Sequence, residues 1–122
     1  MLWTAALLAI ATLSCGDPEG PFRSLSFERA QVLAAQEKKI VLIDFFTTWC
    51  GPCKKLDATT WKDAQVLEWM QKNCIALKVD AEQDRELAAR FHVGAYPTIV
   101  LLKADGTVID RLVGYRDAKD FL

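Results

Sequence analysis

Ile40-Val41-Leu42-Ile43-Asp44-Phe45-Phe46-Thr47-Thr48-Trp49-Cys50-Gly51-Pro52-Cys53 is the stretch on which the fold turns. From Ile40 to Phe46 it is a nearly unbroken apolar run, the pattern of a strand buried on both faces. A helix is predicted next, over about residues 50–59. Pro52 suits its first turn, because the N–H that proline lacks would have had no intrahelical partner there. The chemistry-bearing residues thus fall where a buried strand hands over to a helix.

Outward from this junction, helices and strands alternate. Ser26 can cap a helix running to about residue 36, with Phe27, Ala30, Leu33 and Ala34 on one face. Beyond the cysteines a loop is expected around Trp61-Lys62-Asp63. A helix over 64–73 should then turn Leu67 and Met70 inward. A strand over 75–80 and a short helix over 85–91 come next. Residues 98–103 and 107–113 read as a hairpin through Ala104-Asp105-Gly106, whose Asp-Gly is a turn signal. Asp117 caps a final helix that is roughly two turns short where the sequence ends at Leu122. No internal repeat is present. Alternation followed by a hairpin and a helix argues an α/β protein, a central mixed β-sheet flanked by helices on both faces.

The chain of 122 residues suffices for one packed domain. Lys and Arg number 15 against 16 Asp and Glu, for a net charge of -1, and no basic stripe stands out. That balance argues against nucleic acid as a partner. The single histidine, His92, leaves little from which to build a multi-histidine metal site or a histidine relay. No charged residue precedes Asp17. Residues 1–14 have the length and apolarity of a signal-peptide core and fall short of the roughly 20 apolar residues a spanning helix needs. No Lys or Arg precedes that run, so a start further upstream is expected. Leu13-Ser14-Cys15-Gly16 resembles the lipidation site of bacterial lipoproteins, with Thr12 standing where leucine is usual. Cys15 is therefore the candidate lipidation residue, and plain cleavage nearby is the alternative. Residues 15–21, with Gly16, Pro18, Gly20 and Pro21, read as a tether. The folded domain is expected over 22–122.

Cysteine is the telling inventory: Cys15, Cys50, Cys53 and Cys74. Cys50 and Cys53, three apart at a helix start, lie on one face, close enough to form a disulfide with small backbone adjustment. Free N–H groups and the helix dipole favour an anion at Cys50, lowering its pKa and making it the nucleophilic thiolate. Cys53, one turn deeper, is placed to attack the mixed disulfide and release the product. A static disulfide and half of a zinc site are the bland alternatives. Zinc needs four ligands, and Cys15, Cys74 and His92 are not suitably spaced to complete a set, so no metal site is expected. A Cu(I)-handling module could use the two thiolates, but Met and His ligands are lacking. Cys74 reads as a buried small hydrophobe, His92 as a residue at a helix C-terminus, and Trp61 and Trp69 as core or loop packing. An acid in mid-strand, Asp44, is costly to bury unless paired or protonated. A raised pKa there would suit a group that takes the Cys53 proton.

The residues resemble the thioredoxin family over about 22–122. Trp49-Cys50-Gly51-Pro52-Cys53 carries the resemblance, with Asp44 six residues before Cys50 and Ala95-Tyr96-Pro97-Thr98 at the substrate-facing segment. Lys78 lies 19 residues before Pro97, matching the lysine that neighbours the buried acid in thioredoxins. Gly106 and Gly114 fall where the family keeps glycines. The resemblance implies the thioredoxin fold, a cis peptide before Pro97, and thiol:disulfide exchange without a cofactor. It makes Trp49, Gly51, Pro52, Tyr96 and Pro97 the substrate-facing surface, and Asp44 and Lys78 the groups behind the cysteines. A structural Asp44–Lys78 pair is the alternative to acid/base work. The longer stretch through Thr59-Thr60-Trp61-Lys62-Asp63-Ala64-Gln65-Val66, with the export signal, is similar to exported thioredoxin-like domains, among them the C-terminal domain of the bacterial membrane thiol:disulfide interchange reductase. A monomeric, periplasmic or membrane-anchored reductase is therefore expected, with disulfide-containing proteins as substrates and an electron-donating membrane reductase as partner. An oxidase or isomerase is the alternative.

Overall fold

The computed structural model describes residues 20–122. The expected signal segment, tether and Cys15 lie outside or at the margin of the described residues. The elements run α1 (Phe27–Glu37), β1 (Ile40–Phe46), α2 (Gly51–Ala58), a 3-10 turn at Thr60–Lys62, α3 (Ala64–Asn73), β2 (Cys74–Asp80), α4 (Arg85–Arg90), β3 (Thr98–Leu102), β4 (Val108–Val113) and α5 (Ala118–Phe121). Among the described residues no helix is long and apolar enough to cross a membrane.

The sheet has the order β2-β1-β3-β4. β1 pairs parallel with β2 and antiparallel with β3, and β3 pairs antiparallel with β4. The apolar run therefore becomes an interior strand, hydrogen-bonded on both sides. Side chains alternate across a strand, so Val41, Ile43 and Phe45 face one layer and Leu42 and Asp44 the other. The first layer is α1 and α4, through Phe27, Ala30, Ala34, Leu87, Ala88 and Phe91. The second is α2 and α3, through Leu56, Val66 and Met70, joined by Trp61 of the 3-10 turn. Helices thus cover both faces, as the alternation predicts.

The caps explain the boundaries. Ser26 accepts the Arg29 N–H at 3.1 Å and opens α1. Asp63 accepts the N–H groups of Gln65 and Val66 and opens α3. Asp117 accepts the Asp120 N–H at α5. The hairpin turns through Gly106, whose φ of 95° is a conformation that L side chains rarely adopt.

Two sequence readings need correction. The expected loop at Trp61-Lys62-Asp63 is a 3-10 turn whose last neighbour, Asp63, is already the cap of α3. Val66 and Met70 are the buried pair of α3, while Leu67 is only half-buried. Spacings of three and four both keep residues on one helix face. The direction in which Asp63 launches the helix decides which of the two stripes meets the sheet.

Candidate active site

Cys50 is the N-cap of α2, with extended backbone and a side chain turned back over the first turn. Its Sγ accepts the Cys53 N–H at 3.1 Å. An N-cap that would ordinarily be Ser, Thr, Asp or Asn is here a sulfur. A free N–H of the helix start therefore points at the atom that becomes an anion when the pair is reduced. Cys50 and Cys53 are joined as a disulfide. Both residues are almost wholly buried, at 4% and 2% exposure. Burial thus does not distinguish the two sulfurs; the helix terminus does.

Trp49 precedes the pair and is 66% exposed. Its ring stands edge-on to Tyr96 at 6.0 Å, and its indole N–H donates to Glu82. The Tyr96–Pro97 peptide is cis, as the resemblance implies, and Pro97 is buried. Gly51 and Pro52 are exposed. Trp49 and Tyr96 are thereby brought together, and with Gly51 and Pro52 they give the site its solvent-facing residues.

Asp44 lies inside the protein, at 1% exposure, on the sheet face that α2 covers. Burial raises its carboxyl from 3.8 to about 6, against the opposing effects of a Trp61 hydrogen bond and the Lys78 charge, and with some repulsion from Asp57. The Trp61 indole N–H donates to Oδ2 at 2.9 Å. Oδ1 is buried and has no hydrogen-bond partner.

Lys78 stands opposite Asp44 in the register of β1 and β2. Its ammonium nevertheless pairs with Asp57 of α2 and lies over the Phe46 ring, 5.0 Å from its centroid. The direct Asp44–Lys78 pair weighed from the sequence is not formed; the ammonium meets the less buried carboxylate of Asp57 instead. Trp61 packs in the core, as the sequence reading has it, and its hydrogen bond to Asp44 is what that reading does not contain. Its signal was position only: an aromatic donor one short turn beyond α2.

Cys74 is buried, and burial pushes its thiol up to about 12 against the pull of Lys39, so it stays protonated near neutrality. His92 is exposed beyond α4 with a φ of 54°. Among the described residues no group of three or more His, Cys, Asp or Glu could hold a metal ion.

A disulfide at a helix N-terminus, with a buried acid on the sheet face behind it, can open and close by thiol–disulfide exchange. The thioredoxin family model matches residues 24–122, and the chain belongs to the thioredoxin family. The solution structure of a "putative disulphide-isomerase" from Bacteroides thetaiotaomicron is 42% identical, with a TM-score of 0.72, covering 80% of this chain and 83% of that one. The protein disulfide-isomerase of Datisca glomerata is 39% identical over 80 residues, 64% of this chain and 16% of that protein. Thioredoxin-2 of Pyricularia oryzae is 36% identical over 88 residues, 70% of this chain and 47% of that protein. The chain thus spans less than half the length of these two curated relatives.

Proposed function

We propose that the protein is an exported thiol:disulfide oxidoreductase that reduces protein disulfides. The observation that carries the reading is Cys50 Sγ at the N-cap of α2, disulfide-linked to Cys53, with the buried carboxyl of Asp44 on the face that α2 covers.

In the reduced protein the Cys50 thiolate attacks one sulfur of a substrate disulfide. A Cys50–substrate disulfide forms, and the other substrate sulfur leaves as a thiolate that takes a proton from water. Cys53 then loses its proton to Asp44, directly or through water, and attacks Cys50 Sγ. The bond from Cys50 to the second substrate sulfur breaks, that sulfur leaves as a thiolate and takes up a proton, Asp44 gives up the proton it accepted, and the Cys50–Cys53 disulfide forms. Two electrons have passed from the dithiol to the substrate. An acid raised to about 6 is matched to this proton transfer near neutrality. Trp49, Tyr96, Gly51 and Pro52 form the surface on which the substrate chain lies, with Pro97 buried behind Tyr96.

The relatives carry both thioredoxin and disulfide-isomerase names, so the direction rests on chemistry. Gly51-Pro52 separates the cysteines, with no histidine between them, and Asp44 disfavours a second anion close by. The reduced thiolate therefore lacks the extra stabilisation that makes a strong oxidant. Insulin reduction with dithiothreitol as electron source tests the class. Rapid turnover by a metal-free protein is expected, whereas an inactive protein that copurifies with one equivalent of copper would place it among metal-handling modules.

Export and tethering rest on residues 1–21. Uncharged up to Asp17, the segment reaches Cys15 just before the Gly-Pro-rich tether. Labelled palmitate should enter the full chain in a bacterial host, and Cys15→Ala should abolish labelling and release the domain from the membrane fraction. A mature, unlabelled protein starting elsewhere would remove the lipid anchor and leave the redox reading untouched. In an oxidising compartment the dithiol must be regenerated, which calls for a membrane reductase as electron donor.

A further inference from the structure

We propose that Trp61 is a positioning residue for the exchange reaction: its indole N–H pins Oδ2 of Asp44, leaving Oδ1 as the oxygen that exchanges a proton with Cys53. The proposal rests on the reading of Asp44 as proton acceptor given above.

Trp61 sits in the 3-10 turn between α2 and α3 and is itself buried, at 3% exposure. Its N–H reaches Oδ2 at 2.9 Å, and Oδ1, equally enclosed, has no partner. With the Lys78 ammonium held by Asp57, the indole is the one side-chain hydrogen-bond donor to Asp44 among the described residues. Indole nitrogen donates and cannot accept. The carbonyl oxygen of a carboxylic acid accepts better than its hydroxyl oxygen, so a protonated Asp44 that keeps this bond favours its hydrogen on Oδ1. In the transfer step the Cys53 S–H bond breaks and an Oδ1–H bond forms, with no change in oxidation state. Because a donor binds carboxylate more strongly than carboxylic acid, the same bond holds the acid's pKa below the value that burial alone would impose.

The indole is held on several sides. Phe22 and Phe121 stand edge-on to its ring at 5.5 Å and 5.2 Å. The Thr60 hydroxyl donates to the Arg116 carbonyl at 2.5 Å, and the Thr59 hydroxyl meets the Tyr115 hydroxyl at 2.9 Å. The turn that carries Trp61 is thus fastened to the segment between β4 and α5. Packing alone would be served by any large ring; the aligned N–H is what a purely structural role does not require.

The test uses Trp61→Phe and, should that variant fold poorly, benzothienylalanine at position 61, which keeps the bicyclic shape and lacks the N–H. The carboxyl of Asp44 is titrated in the reduced protein by carbon-13 NMR. In parallel, the rate at which Cys53 resolves a preformed Cys50 mixed disulfide is followed against pH, with Asp44→Asn as reference. The midpoint of Asp44 should rise by about one pH unit, a tenfold change in its protonation equilibrium, and the resolving-rate profile should move with it. An unmoved midpoint overturns the proposal. So does a moved midpoint with an unmoved profile, provided that Asp44→Asn alters the profile. If Asp44→Asn itself leaves the profile unchanged, the proton-transfer reading fails and the role of Trp61 falls with it.

Discussion

Replacing Cys53 with Ser is expected to turn the protein from a catalyst into a trap. Cys50 keeps the helix terminus that stabilises its thiolate, so it still attacks substrate disulfides. The second attack is missing, and covalent substrate complexes accumulate until reductant is added. Cys50→Ser should instead lower disulfide reduction to the uncatalysed background, because a serine hydroxyl at the same N-cap is not ionised near neutrality. Cys53 does not substitute for it: it lies within the first turn of α2 and donates its own N–H to Cys50 Sγ, so the helix terminus stabilises a thiolate at Cys50 and not at Cys53. Mass spectrometry of each variant after incubation with oxidised protein substrates reads the outcome. Trapping by Cys50→Ala and none by Cys53→Ala would reverse the two roles.

Asp44→Asn should remove the loss of stability that the folded protein suffers as pH rises toward neutrality, and slow the exchange reaction. Asp44 titrates at about 6 folded and at 3.8 as an unperturbed group. Its folded pKa is raised, so its favourable contribution is complete below the unfolded value and is lost as pH rises through the folded one. Ionising this carboxyl inside the protein thus costs stability above pH 6 or so. The loss amounts to about 3 kcal/mol at most. Asparagine keeps the shape and an oxygen for the Trp61 N–H but does not ionise, so it escapes the loss. Its amide N–H groups have no partner in the wild-type arrangement, which costs about 1–3 kcal/mol at every pH. The diagnostic is therefore the change in the difference between the two proteins. Between about pH 4 and about pH 7.5 the stability of Asp44→Asn relative to wild type should improve by about 2–3 kcal/mol, as measured by urea unfolding at each pH. A difference independent of pH would mean that Asp44 titrates normally in the fold.

Much of this arrangement is legible in the amino-acid order, for identifiable reasons. The run from Ile40 to Phe46 can satisfy its burial only as an interior strand, and β1 spans those residues. Cys50 and Pro52 mark a helix start through local chemistry, which needs no knowledge of the rest of the molecule. The partners of Asp44 are a different matter. Lys78 is opposite it in register, yet its four-carbon stem lets the ammonium swing to Asp57. Trp61 reaches Asp44 across 17 positions only because the 3-10 turn folds back under α2. No periodicity encodes such a contact; it follows from the packing of Phe22 and Phe121 around the indole. The Val66 stripe of α3 was hidden for the related reason that a cap's direction is set by tertiary structure.

Equilibration with glutathione buffers of graded ratio measures the direction of electron flow through Cys50 and Cys53. The fraction of Cys50–Cys53 disulfide, quantified by thiol alkylation, gives the reduction potential of the pair. With Gly51-Pro52 between the cysteines and a buried acid in attendance, the pair should have a value close to that of thioredoxin, about −270 mV. A value above about −180 mV, the level of protein disulfide isomerase, would contradict it and make the protein an oxidase or isomerase.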